Sequence, residues 1–157
     1  IRTLGEVLEH YKGRHHFHIE IKARDVPGLA TRTIDMVRGY GLTDDVTITS
    51  FWKPWVDESR AYAPEISTGW LVPLGPGSQW DDSIMDQALE SGFTQVCPRA
   101  DIVTPEIVKM LHDKGFVVRC HGIFNEDLMR HAVECGVDGM TINFPDKLVE
   151  LLETNRG

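Results

Sequence analysis

The segment VTPEIVKMLHDKGFVVRCH, Val103 to His121, reads as one helix running into one strand. Thr104 stands where a helix N-cap belongs, and Pro105 follows at the first helical position, where a missing backbone N–H costs nothing. Glu106 falls in the first turn and Lys114 in the last, each suited to the end of the helix dipole that it meets, and Gly115 supplies the stop. FVVRCH then changes the period from helical to extended.

The same grammar recurs along the chain. NEDLMRHAVECGV is capped by Asn125 and stopped by Gly136, and TLGEVLEHYKG, GLATRTIDMVRGYGL, SIMDQALESGF and DKLVELLE follow the plan. A further helix is expected after Trp52, ending before Pro64. The strands are FHIEIK, VTITSF, TGWLV, TQVCP, FVVRCH and GMTINF, with centres roughly 20 to 30 residues apart, the length of a βα unit with short connections. Such alternation predicts a parallel sheet covered by helices, in a single domain over residues 1–157.

Two α/β architectures meet that description. A doubly wound sheet usually supplies a glycine-rich phosphate loop after an early strand, and no GxGxxG or GxxxxGKS occurs here. A (β/α)8 barrel fits the regularity but needs eight units and about 250 residues. The chain opens on a helix with no strand before it, as a barrel without its first two units would. The expected fold is therefore an incomplete TIM (β/α)8-type barrel of about six βα units.

Composition bounds the partners. The formal charge is −8, from 16 Lys and Arg against 24 Asp and Glu, which argues against charge-driven binding to nucleic acid or an anionic membrane but leaves room for one local cation site. Cys97, Cys120 and Cys135 are odd in number and form no CxxC pair, so buried free thiols are expected rather than disulfides or a zinc site. No apolar run approaches the roughly 18 residues that span a bilayer, and the start has no signal-peptide pattern. Residue 1 is Ile rather than Met, so the compartment is left open.

FHIEIK carries most of the chemistry. Phe17, Ile19 and Ile21 alternate with His16, His18, Glu20 and Lys22, which predicts an apolar face toward the helices and a polar face inward. At about 3.3 Å per residue, His16 and Glu20 are roughly 13 Å apart, too far to share a metal ion. Sites in parallel α/β folds lie at the carboxyl ends of strands, which favours Glu20 and Lys22; the alternative for Glu20 is an ion pair with Lys22 or Arg24. His15, His16 and His18 are read as structural. Ser50 and Phe51 end the next strand, followed by Trp52, Lys53 and Trp55, an aromatic group that either lines a pocket or packs beneath a loop. Arg99, following TQVCP, is read as a solvated surface residue, with an anion contact as the alternative; Asn143 and Asp146 are read as caps of the last helix, PLGPGSQWDD as an irregular crossing, and His121 as either a site or a structural residue.

In order and spacing, TLGEVLEHYKG, HIEIK, ITSF, TGWLV, VTPEIVKMLHDKGFVV and GVDGMTINFPDKL resemble the glycerophosphodiester phosphodiesterases, which are (β/α)8 barrels. The resemblance implies a metal-dependent phosphoric diester hydrolase of lipid and glycerol metabolism, releasing glycerol 3-phosphate and an alcohol from a small phosphodiester. It implies Glu20 as one carboxylate ligand of Mg2+ or Ca2+, and Lys22, Ser50 and Phe51 at the substrate. His121 takes the position of the family's Trp in a WTVN-like segment, here HGIF, and so falls at the substrate as well; INFPD stands where the family often has TDRPD. The family's catalytic histidines belong to an HRG segment that this chain does not contain, so no catalytic residue is expected here and little activity in the chain alone. An open barrel further implies homo-oligomers joined through its edges; the alternative is a short non-catalytic protein that self-associates.

Overall fold

The computed structural model describes residues 1–154. Along them run α1 (Leu4–Tyr11), β1 (Phe17–Glu20), α2 (Leu29–Gly39), a short 3-10 turn (Thr43–Asp45), β2 (Val46–Ser50), α3 (Lys53–Tyr62) and β3 (Ser67–Leu71). There follow α4 (Ser83–Glu90), β4 (Gln95–Cys97), α5 (Pro105–Asp113), β5 (Val117–Cys120), α6 (Glu126–Glu134), β6 (Gly139–Met140) and α7 (Pro145–Thr154). All six expected strands form, and the described pairings of β1 with β2, β2 with β3, β4 with β5 and β5 with β6 are parallel.

The caps expected of α5 and α6 are in place. The Thr104 hydroxyl accepts from Ile107 N at 3.3 Å and Asn125 Oδ1 from Leu128 N at 2.9 Å. Gly115, at φ +85°, takes the left-handed conformation that ends α5 and turns the chain into β5. GMTINF is shorter than expected: Thr141 N still donates to Cys120 O at 2.9 Å, but the chain then turns into α7 at Pro145. Asp146 lies in the first turn of α7, where its charge suits the helix dipole.

The chain packs as two compact units, residues 1–70 with 88–94, and residues 71–87 with the chain from 95 on. In the first, Phe17 and Ile19 of β1 and Ile48 of β2 pack on Leu8 of α1 and on Ile34 and Val37 of α2, so the apolar face of FHIEIK does meet the helices. His16 and His18 lie on the other face, exposed, with ring centroids 5.2 Å apart, and His16 Nε2 is 2.9 Å from Thr47 Oγ1. In the second unit, Val96, Val118, Leu111 and Met129 are fully or almost fully buried. The three cysteines are buried and unpaired, as expected.

Candidate functional site

The carboxyl ends of β1 and β2 frame a cleft of about 290 Å³ in the first unit, lined by Glu20, Ile21, Lys22, Arg24, Ser50, Phe51 and Trp52. Three hydrogen bonds fix the segment that leaves β1. Ile21 N donates to Thr49 O at 2.8 Å, extending the sheet by one rung. The Ser50 hydroxyl donates to Ile21 O at 2.7 Å, and the Trp55 indole N–H donates to Ala23 O at 2.6 Å. Glu20, Lys22 and Arg24 therefore project from a tethered backbone, which lowers the entropy lost when they order around a ligand.

The cleft carries two cations and one carboxylate. Lys22 Nζ lies 3.5 Å from Glu20 Oε2, but the Lys22 side chain is 78% exposed and that of Glu20 29%, so the pair is a loose surface contact rather than a buried lock. The Arg24 guanidinium sits 4.8 Å from the Trp52 ring centroid, and Trp52 and Phe51 keep exposed faces at the rim. One excess positive charge beside an aromatic wall suits an anion with an attached organic group. A larger groove, about 660 Å³, lies over α1 and Tyr40, away from the strand ends, and its lining of Arg2, Glu6, Glu9 and His10 mixes signs without converging.

Of the residues singled out in the sequence, Glu20, Lys22, Ser50 and Phe51 come together in this cleft. Ser50 is buried with its hydroxyl engaged twice, donating to Ile21 O and accepting from Trp52 N at 3.0 Å, so it shapes the cleft rather than facing into it. His121 belongs to the second unit, where its Nε2 lies 3.0 Å from Val72 O. The aromatic group does both of its possible jobs: Trp52 lines the cleft and Trp55 packs beneath the loop. Lys53 is held by Asp57 at 3.1 Å and Ser91 at 2.7 Å. Arg24 enters the lining, although the sequence marked it only as an ion-pair partner.

Arg99 is not the solvated surface residue it was expected to be. Its side chain is 17% exposed, with Nε 2.7 Å from Asp101 Oδ1 and the guanidinium carbon 5.7 Å from the Phe124 ring centroid. Burial against Gly122, which has no Cβ to exclude it, is the physical reason.

For a divalent ion the cleft offers a single protein carboxylate, enough for Mg2+ only when phosphate or water completes the shell. Ca2+ takes six to eight oxygens and Mg2+ one or two carboxylates plus phosphate or water, and among the described residues Glu20 is the one carboxylate in the lining. Among the described residues no three His, Cys, Asp or Glu side chains group as a metal site. The donors present do not form a cage by themselves.

Repeated strand and helix units with a charged cleft at the strands' carboxyl ends define an α/β protein of the (β/α) barrel class. The chain belongs to the glycerophosphoryl diester phosphodiesterase family, whose model matches residues 1–147. A glycerophosphodiester phosphodiesterase of Bacillus subtilis is 24% identical over 153 residues, covering 93% of this chain and 52% of that protein. One from Caldanaerobacter subterraneus is 26% identical over 155 residues, covering 97% of this chain and 62% of that protein. A solved glycerophosphodiester phosphodiesterase from Parabacteroides distasonis superposes with a TM-score of 0.85 at 21% identity, over 99% of this chain and 65% of that one. The six βα units thus have the expected (β/α)8-type fold, and the chain spans between half and two thirds of the length of these relatives.

Proposed function

We propose that the cleft between β1 and β2 is the phosphate-binding part of a glycerophosphodiester phosphodiesterase site. The observation that carries this reading is the pair Lys22 and Arg24 on a tethered loop beside one carboxylate, in a chain whose net charge is −8. Lys22 is a mobile point charge that can follow a phosphate oxygen, while Arg24 offers a planar fork held by Trp52. Phe51 and Trp52 supply an apolar wall for the carbon part of the substrate.

In the reaction, water adds to phosphorus, the bond from phosphorus to the alcohol oxygen breaks, and the departing oxygen takes up a proton. Glycerol 3-phosphate and an alcohol result, which places the chemistry in lipid and glycerol metabolism. Glu20 would give one carboxylate ligand to a divalent ion, Mg2+ or Ca2+, whose charge offsets that of the phosphate when bound. Among the described residues no imidazole lines the cleft, so no histidine is there to pass protons as acid and base, and the 157-residue chain alone is expected to hydrolyse little.

Titration with glycerol 3-phosphate, followed by the fluorescence of Trp52, tests the reading. Lys22→Gln and Arg24→Gln should each weaken the signal about tenfold, as loss of a charge-assisted hydrogen bond does. An unchanged titration in both variants would overturn the site. Turnover of glycerophosphocholine by the isolated chain with Mg2+ or Ca2+ at tens per second would overturn the expected inactivity. Self-association is the second reading, favoured by one observation: among the described residues β1 has β2 and β6 has β5 as sole strand neighbours, leaving an edge on each.

A further inference from the structure

The second unit carries two arginines on one strand face that the phosphodiester reading does not use. Gln95 of β4 stands opposite Val117 of β5 and Val96 opposite Val118, and a bridge between Arg99 and His121 continues that register. Neighbours in a parallel pair point to the same face, as do residues two apart on one strand. Cys97, Arg99, Arg119 and His121 therefore share one face, while the buried Val96, Val118 and Cys120 take the other.

Arg119 is the uncompensated charge among them. It is half-buried, its Nη2 reaches Met140 O at 3.4 Å, and no carboxylate of the described residues pairs with it. Cys97 cannot balance it, because burial pushes that thiol up to about 12 and keeps it neutral. Glycines give the guanidinium groups room: a Cβ on Gly139 would collide with Arg119 Nη1, and one on Gly122 would lie 3.1 Å from Arg99 Cγ. Arg99 Nε is buried without a hydrogen bond, since Asp101 Oδ1, 2.7 Å away, lies off its N–H axis. Phe124, 71% exposed, stands against Arg99 as an apolar wall.

We propose that Arg119, with Arg99 and His121, binds the phosphate group of a small molecule at a position carried wholly by the second unit. A half-buried cation without a counter-charge is destabilising until an anion arrives, and a planar guanidinium matches two phosphate oxygens at once. Two arginines set on one face, each given room by a glycine, accommodate such a group without rearrangement of the backbone.

Calorimetric titration of the 157-residue chain with inorganic phosphate and with glycerol 3-phosphate tests this. Arg119→Gln should weaken binding about tenfold or more, and Gly139→Ala should do the same by displacing the guanidinium. Lys22→Gln should weaken only the component bound at the β1–β2 cleft, and the calorimetric component due to Arg119 should persist in it. Circular dichroism checks folding, and Arg99→Gln replaces any variant that does not fold. Glycerol 3-phosphate binding more tightly than phosphate, with the difference abolished by Phe124→Ala, identifies a phosphomonoester as ligand; equal affinities identify phosphate itself, and either result supports the proposal. Wild-type affinity in the folded variants, or loss of all phosphate binding in Lys22→Gln, overturns it.

Discussion

Ser50 sets the geometry of the β1–β2 cleft without facing its contents. Its hydroxyl donates to Ile21 O and accepts from Trp52 N, and only 1% of the residue is exposed. Ser50→Ala would strand a buried carbonyl and a backbone N–H, which costs about 1–3 kcal/mol for each group left unmet. Urea unfolding should register a loss of about 2–6 kcal/mol for the two groups together, and affinity for glycerol 3-phosphate should fall with it because the loop slackens. The cysteines make a second residue-scale prediction. Burial pushes the Cys97 and Cys120 thiols up to about 12, and it raises Cys135 as well. The folded chain at pH 8 should be inert to a thiol-disulfide reagent, and all three thiols should react once urea unfolds it. Glu20 and Lys22 were legible in the sequence because alternation along a strand, combined with the strand-end rule, fixes both face and height. The double engagement of Ser50 was not, since a serine at a strand end reads the same whether it meets substrate or backbone.

At the scale of elements, α3 supports the loop after β1 through a contact 32 residues apart in sequence, Trp55 Nε1 to Ala23 O at 2.6 Å. Trp55→Phe keeps most of the apolar volume and removes the donor, so stability should drop by about 1 kcal/mol, with hydrogen exchange rising selectively at Lys22 to Arg24. Equal protection in the two proteins would show that packing alone holds the loop. Helix α2 is tied in another way: Arg38 Nη2 lies 2.6 Å from Glu65 Oε1 and its Nε 2.9 Å from the same oxygen. A backbone hydrogen bond and the Arg38 guanidinium hold Glu65 below the usual carboxylate range. A depressed folded-state pKa gives stability that is present above the unfolded value, about 4.3, and lost as pH falls through the folded one. Glu65→Gln should therefore narrow the stability difference between pH 6 and pH 3 in thermal melts. Local signals made these elements readable: Thr104, Pro105 and Gly115 bound α5 within a single stretch of chain. What stayed hidden was set by distant partners. Arg99 is drawn partly inward because Gly122 leaves it room, and strand β6 stops at Met140 although GMTINF keeps a strand-like composition beyond it.

Over the whole molecule, the sequence of units and their parallel sense were legible from period alone, whereas the division into two compact units was not, because it falls within β3 and α4 and carries no linker composition. Charge and edges then make opposing demands. The chain carries −8, so copies repel one another at long range. Yet β1 presents an edge with the exposed His16 and His18 on one face, and β6 is only two residues long on the other unpaired side. Strand pairing acts over the length of a hydrogen bond, while the repulsion reaches about 30 Å at 0.01 M salt and about 8 Å at 0.15 M. Salt should thus strengthen self-association by screening the repulsion and leaving edge pairing intact. The same salt should weaken phosphate binding, because there the local attraction between the site's cations and the anion is what the salt screens. Sedimentation equilibrium across that range of ionic strength, with phosphate affinity measured in parallel, should give opposite slopes. A monomer at every loading concentration and salt would remove edge pairing from the account, and association that weakens with salt would assign it to complementary charges instead of strands.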